Sequence, residues 1–392
     1  MPDGSRTLHS TSHVRTANAI QIVHLLRDRG AMSRAELVRA SGLTKPTVMA
    51  IVKSLLEDGV ATESGTTPAA NGLSERGGRP GSLVWFNSEA KTAVAAQFGP
   101  RFELAHVTAS GALLAHTDLP FTTEPDRLLA MTVREIRRLT GASGTLGSVA
   151  LAAPGFIDHH AGTLTYPTFG WDRVPMQAVL EDALAVPVGL ISLPSAEVIG
   201  EVFSGAAADR DDAVLIFLSH GIGAGILSRG RLLVGAGGAV GELGHCPVVS
   251  GIRCTCGRDG CLETVAAGWA IRAEAVSLLG RPDLARADLA ELEALHDPRV
   301  DAVLDRAAEA LGAATAWLTN LLDPSIVILA DTEFVHGADS FFETVETSAR
   351  RNAVSTELEI VRGTTDAGLR GTVQRALELL PQILRPQRTV CV

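Results

Sequence analysis

Between Gly241 and Glu263 the chain reads GELGHCPVVSGIRCTCGRDGCLE, which sets His245, Cys254, Cys256 and Cys261 in the pattern H-x8-C-x-C-x4-C. One imidazole and three thiols so close together form a donor set suited to Zn2+, which takes nitrogen and sulfur ligands tetrahedrally with Zn–S near ~2.3 Å. Four protein ligands leave no open position for water or substrate, so the expected ion is structural rather than catalytic. Gly251, Gly257 and Gly260 suit a chain that folds back around one ion, where φ values resisted by other residues are needed. The alternative is a cysteine-rich turn with free thiols or a disulfide. Against it, four of the five cysteines fall between Cys246 and Cys261, a clustering that scattered structural cysteines rarely give. Cys246 is a rival ligand beside His245, and Cys391 at the C-terminal end is expected to take no part.

A second group of residues suited to binding lies near the N-terminus. Ala19, Ile22, Val23 and Leu26 make one apolar helical face within 14–29. Ser33-Arg-Ala-Glu36 reads as a capping box that opens a short second helix ending near Gly42. A third helix begins at Thr44, with Pro46 in its first turn and Val48, Ile51, Val52 and Leu55 facing inward. Two short helices across a tight turn, after a longer one, form a helix-turn-helix pattern. The third helix then leaves Thr44, Lys45, Thr47 and Lys53 outside, where a recognition helix meets base edges and phosphates of double-stranded DNA. A dimerisation or docking module with a polar face is the rival reading. Residues 60–63 and 83–86 look like strands around a glycine-rich tip that carries Arg76 and Arg79, a β-hairpin wing able to reach phosphate or a minor groove.

From Asn87 the pattern changes to alternating strands and helices. Strands are expected at Thr92–Phe98, Phe102–Thr108, Leu113–Asp118 and Leu146–Ala153, with a helix over 126–140. The sequence of elements returns at Ala213–Leu218, Gly223–Ser228 and Arg231–Val234, followed by a long helix over 299–322 and the strand Ser325–Leu329. Two similar α/β lobes across a ligand-binding cleft account for this repetition.

Composition agrees with a multi-domain protein of this kind. At 392 residues the chain suggests two or three units at ~150 residues each. No apolar run approaches the ~20 residues of a membrane span, the first residues lack a signal-peptide core, and clustered thiols suit a reducing cytoplasm. Net charge is −10, yet residues 1–86 hold ten Lys/Arg against seven Asp/Glu, leaving 24 and 37 for the rest. A basic head on an acidic body fits a small anion-binding module.

GELGH followed by CTCGRDGCLE resembles the signature of the ROK family of bacterial repressors and sugar kinases. The likeness extends to LAAPGFID, GWDRVP, SHGIGAGIL and LLDPSIVIL, and the N-terminal segments LTKPTVMAIVKSLLEDGV and GGRPGSLVWFN are similar to the winged helix-turn-helix of the family's repressors. The resemblance implies an α/β chain: a winged head followed by a two-lobed, actin-like (ribonuclease H-like) ATPase fold with a structural zinc. The divisions it implies are a head over 14–86, a first lobe over 87–200 completed by a C-terminal helix at 371–384, and a second lobe over 201–370 with the zinc loop 241–263. It also implies that Glu242, His245 and Glu263 bind sugar hydroxyls, His245 serving both metal and ligand. Glu242 and Glu263 can equally orient the metal ligands through hydrogen bonds.

The departures from the family's kinases bear on activity. The phosphate loop D-x-G-G-T corresponds here to Gln97–Phe102, with no aspartate and a proline that removes an amide donor. The N-D-x-N segment that holds the general base corresponds to Ser192, Leu193, Pro194 and Ser195, and leucine cannot accept a proton. His220 stands for the threonine of the second phosphate loop and Ala330-Asp331 for a double glycine. The expected protein is therefore no enzyme and needs no ATP. It is a DNA-binding regulator of carbohydrate-related genes, a homodimer or dimer of dimers that binds an operator and a sugar or sugar-derived effector. An ATP-dependent sugar kinase with a DNA-binding head, or an effector-independent regulator, are the alternatives.

Overall fold

A computed structural model describes residues 11–66, 82–99, 101–141, 145–249, 251–355 and 357–385. The head is built from helices Thr11–Arg29, Arg34–Ser41 and Lys45–Glu57 and a three-stranded sheet in which Ser82–Phe86 lies between Met32–Ser33 and Ala61–Thr66. The capping box closes as expected: the Glu36 N–H donates to Ser33 Oγ at 3.3 Å, and the Ser33 N–H donates back to Glu36 Oε2 at 2.7 Å. Gly42, at φ 70°, then reverses the chain so that Thr44 can cap the next helix. Ile22, Val23, Leu26, Leu37, Val48, Val52 and Leu55 are buried, whereas Ala19 and Ile51 are only half-buried. Arg34 spans to the wing, its two guanidinium nitrogens on the two oxygens of Glu63 at 2.6 and 2.9 Å.

The body repeats one sheet plan twice. In the first sheet Val188–Ser192, Leu146–Ala153 and Thr92–Phe98 run parallel, and Phe102–Thr108 and Leu113–Leu119 continue antiparallel. In the second, Ile360–Arg362, Ile326–Leu329 and Ala213–Leu218 are parallel, followed antiparallel by Ile222–Ser228 and Arg231–Leu232. The central strands of both sheets are buried along almost their whole length because both faces are covered, so their burial shows no alternation, and Phe102–Thr108 takes Glu103, His106 and Thr108 inside with its apolar residues. A third small sheet, Phe156–Asp158, Thr163–Tyr166 and Trp171–Val174, was not expected from the sequence. It leans on an aromatic cluster in which Trp171 stacks on Phe98 with ring centroids 5.6 Å apart.

The two lobes meet at a pair of helices, Leu193–Ser204 and Ala367–Glu378. They approach so closely that a Cβ on Gly200 would lie 2.6 Å from the carbonyl carbon of Ala367, and one on Gly371 2.7 Å from that of Ala196. The C-terminal helix thus starts four residues earlier than the expected 371–384 and ends at Glu378, since Pro381 has no N–H to continue it; a 3-10 turn, Gln382–Leu384, follows. That turn docks the head. Arg27 donates to the carbonyls of Leu384 and Arg385 at 2.7 and 2.9 Å and lies over the Phe86 ring at 4.7 Å. The apolar core of the head runs without a break into Leu377, Leu380 and Leu384.

Candidate functional site

In the stretch Gly241–Glu263, a 3-10 turn at Leu243–His245 presents His245, while isolated bridges Pro247↔Cys261 and Arg253↔Asp259 fold the cysteine loop back on it. Gly257 and Gly260 take φ of 88° and 82°, a region closed to most side chains, which makes the turn between Cys254 and Cys261 possible. One ligand atom from each of His245, Cys254, Cys256 and Cys261 falls within 4.8 Å of every other. Cys256 Sγ lies 3.6 Å from Cys261 Sγ, and Cys254 Sγ lies 3.8 Å from His245 Nδ1. Four donors each about 2.3 Å from one tetrahedral ion would be separated by about 3.7 Å. The donor set therefore fits Zn2+ in both chemistry and spacing. Burial, with the adjoining Cys256 and Cys254, pushes the Cys261 thiol up to about 12, so a cation is what would let three neighbouring thiols ionise together. Cys246, the rival ligand, is half-buried and outside this group; Cys391 lies outside the described residues.

His245 joins this cluster to a cleft of about 540 Å³ between the lobes. Its Nδ1 faces Cys254 and is 4.0 Å from Glu263 Oε2, and its Nε2 is 3.8 Å from Glu242 Oε2. Glu263 is held in place: its Oε1 accepts the Ile222 N–H at 2.9 Å, and only a glycine at 221 or 244 leaves room for it. Burial, then the nearby Glu263 charge, raises the Glu242 carboxyl to about 7. The three residues expected at the effector are thus brought together on one wall.

Leu193 begins the helix Leu193–Ser204, is among the residues that line the cleft, and is buried, its Cδ1 3.1 Å from where a Cβ on Gly99 would stand. The neighbouring Ser192 hydroxyl donates to Ser195 Oγ at 2.8 Å. His220 also lines the cleft, and burial followed by Arg272 holds its imidazole below the usual range. On the other side of Gly99, Arg101 of the first lobe pairs with Glu333 of the second at 2.5 Å, and His336 pairs with Asp331 at 3.0 Å. Tyr166, Thr168 and Trp269 line the cleft as well and were not singled out from the sequence, which holds no spacing that links them. Trp171, in the segment that resembles a sugar-proximal loop, turns away into the aromatic cluster instead, donating its indole N–H to the Thr123 carbonyl at 2.7 Å.

On the head, Lys45 and Lys53 are exposed on one face of the third helix, Lys53 within 3.7 Å of Glu57. Thr44 is exposed but occupied as the N-cap, and the half-buried Thr47 lies 2.8 Å from its hydroxyl. Met49 shares the face of Lys45 and Lys53 and is 43% exposed, an apolar group at the centre of the surface that sequence reading passed over. Arg76 and Arg79 lie outside the described residues. Among the described residues, no helix is long and apolar enough to cross a membrane.

Comparison with known proteins bears on both parts. Residues 99–374 match the ROK family, and residues 15–62 match a winged helix-turn-helix DNA-binding family. The N-acetylglucosamine repressor of Escherichia coli O6:H1 is 26% identical over 384 residues, 93% of each chain. A glucokinase of Halalkalibacterium halodurans is 29% identical over 260 residues, but covers 59% of this chain and 77% of its own. Among solved structures, a ROK family transcriptional regulator described as a homologue of the E. coli MLC protein superposes with a TM-score of 0.72 at 27% identity, over 93% of this chain and 97% of the other.

Proposed function

The chain belongs to the ROK family, and on that premise we propose that it is a sugar-responsive, DNA-binding transcriptional repressor of carbohydrate-related genes. The observation that carries this reading is a winged helix-turn-helix head sharing one apolar core with a ROK body. No catalytic step is assigned to the cleft. Leu193 occupies the position of the kinase base, and neither it nor the flanking Ser192 can take a proton from a sugar hydroxyl at neutral pH. Arg101, within Gln97–Phe102, pairs with Glu333 of the other lobe, which closely follows Ala330-Asp331 in the chain; both segments correspond to nucleotide-handling elements in this reading.

His245, Cys254, Cys256 and Cys261 hold a structural Zn2+ in this reading. The ion would cross-link the loop that carries Glu242 and Glu263 and so fix one wall of the effector site. Thr44, Lys45, Thr47 and Lys53, with Arg76 and Arg79 from the stretch outside the described residues, are assigned to DNA contact in this reading, and two heads read paired half-sites from a homodimer or dimer of dimers in the cytoplasm. Trp317, Leu321 and Val354 are exposed together, Val354 being tied to Asn320 by its N–H at 2.8 Å, and this apolar surface suits contact between copies. In this reading the chain divides into a head over 14–86, a first lobe over 87–200 completed by the C-terminal helix, and a second lobe over 201–370 that carries the metal loop.

Regulation follows from linkage: an effector shifts the equilibrium only if it binds two lobe arrangements with different affinity. The path best suited to carry the shift starts at Leu193 and Pro194 in the cleft. It crosses to the C-terminal helix at Gly200 and Gly371 and ends at Leu384 and Arg385, whose carbonyls hold Arg27 of the head. Two assays on one preparation test the function. The protein is expected to retard DNA from its own promoter region, with affinity falling steeply as salt rises, and to release no ADP from ATP across a panel of sugars. Sustained turnover with no preference for any DNA would make it a kinase.

A further inference from the structure

The walls of the cleft differ in chemistry, and the difference restricts what can bind there. One wall carries Glu242, Glu263 and His245, polar groups able to engage several hydroxyls. Among the described residues no lysine or arginine lines the cleft, and burial, with Arg272 nearby, holds the His220 imidazole below its usual range. A phosphate or carboxylate in this space would lose its hydration beside the carboxyl groups of Glu242 and Glu263 with no lysine or arginine in the lining to pair with it. Anionic sugars are therefore disfavoured.

The part of the lining around Leu193 is apolar. Leu193 packs against Gly99 and belongs to a core that includes Ala152 and Ile191; Pro154, Pro194 and Phe217 stand beside it. Neither proline has an N–H to offer. The Ser192 hydroxyl lines the cleft too, but its proton is donated to Ser195 Oγ at 2.8 Å, leaving it an acceptor only. A ligand hydroxyl pressed on the Leu193, Pro194 and Phe217 side chains would give up water for carbon, and burying an unpaired polar group is costly.

We infer that the effector is an uncharged sugar with an incomplete ring of hydroxyls, a pentose or a deoxyhexose, which turns its hydroxylated edge to Glu242 and Glu263 and a bare carbon edge to Leu193. This inference rests on the effector reading of the cleft. A hydrophobic pocket discriminates against one added hydroxyl by roughly ten- to a hundredfold, so the deoxy compound should outbind its parent by that factor. The wild-type protein, full-length and zinc-analysed, is titrated calorimetrically with D-xylose, 6-deoxy-D-glucose, D-glucose and glucose 6-phosphate, and with the corresponding arabinose and galactose series. Tighter binding of the pentose or deoxy member in one series, with the phosphate weakest, is the expected result. Binding led by the parent hexose or the phosphate overturns the inference while leaving an effector site in place. Absence of heat and of thermal stabilisation with every sugar overturns the effector reading itself. In a second arm Leu193→Asn is expected to narrow or reverse the preference for the deoxy sugar; an unchanged ratio in a folded variant also counts against the inference.

Discussion

Gly200→Ala probes the joint on which the proposed coupling depends. The added methyl would lie 2.6 Å from the carbonyl carbon of Ala367 and 3.0 Å from its Cα. Carbon atoms in good contact are about 3.5–4.0 Å apart, so the helices Leu193–Ser204 and Ala367–Glu378 must separate by about 1 Å. The obstructing atoms are backbone in the middle of a crossing with almost no exposure, and a side-chain rotation cannot relieve them. Overpacking of this kind costs about 1–3 kcal/mol, and the rigid partner puts Gly200→Ala at the upper end, about 3 kcal/mol. Urea denaturation of the body gives the stability change. DNA affinity measured with and without the effector gives the coupling, which should fall even where the variant stays folded. A variant as stable as wild type with undiminished coupling would refute the claim that this crossing transmits the signal.

Four sulfur and nitrogen donors at tetrahedral spacing predict about one zinc per chain by elemental analysis, and Cys256→Ser should abolish it and lower the melting temperature; wild-type protein prepared without chelator and free of zinc removes the metal assignment. Lys45→Ala should weaken binding to all DNA sequences alike and flatten the log affinity–log salt slope by about one, whereas a loss confined to one operator base would place Lys45 on a base edge. Glu197 predicts a pH dependence of stability. Burial and then Glu201, against the pull of Arg370, raise its carboxyl from 4.5 to about 8. The folded state therefore holds a proton that the unfolded state releases, and stability should fall as pH rises from 4.5 to 8. Because Glu197 keeps some exposure, roughly half of the full linkage, about 2 kcal/mol, is expected, and Glu197→Gln should remove that slope in pH-dependent melts.

The features legible in the sequence were those fixed by local chemistry. Ser33 and Glu36 close their box because both partners lie within one turn, and the spacing of His245, Cys254, Cys256 and Cys261 already determines that one ion can reach all four. Thr92–Phe98, Phe102–Thr108, Leu146–Ala153 and Ala213–Leu218 fall where apolar runs bounded by turns put them. What stayed hidden depends on contacts between distant segments. The strands of the small sheet are three or four residues long, too short to show a period. Trp171 lies in a segment whose resemblance is to a sugar-proximal loop, but its ring stacks on Phe98 and its indole N–H goes to the Thr123 carbonyl, partners far away in the chain. The close crossing of Gly200 and Gly371 joins residues far apart in the chain, and a glycine inside a helix carries no mark of what it must admit. Nothing in the local sequence marks Arg27, which donates to the carbonyls of Leu384 and Arg385 at the other end of the chain and so joins the head to the body.

The claim that cleft and head form one regulated device is tested most directly by a single titration. A promoter fragment retained by the protein is labelled, and its dissociation constant is measured at fixed salt while an uncharged pentose or deoxyhexose that binds the cleft is raised to saturation. The account predicts a several-fold change in DNA affinity that reaches a plateau, the same coupling appearing as an equal change in sugar affinity when DNA is present. Specific DNA binding that stays constant at saturating sugar would contradict it.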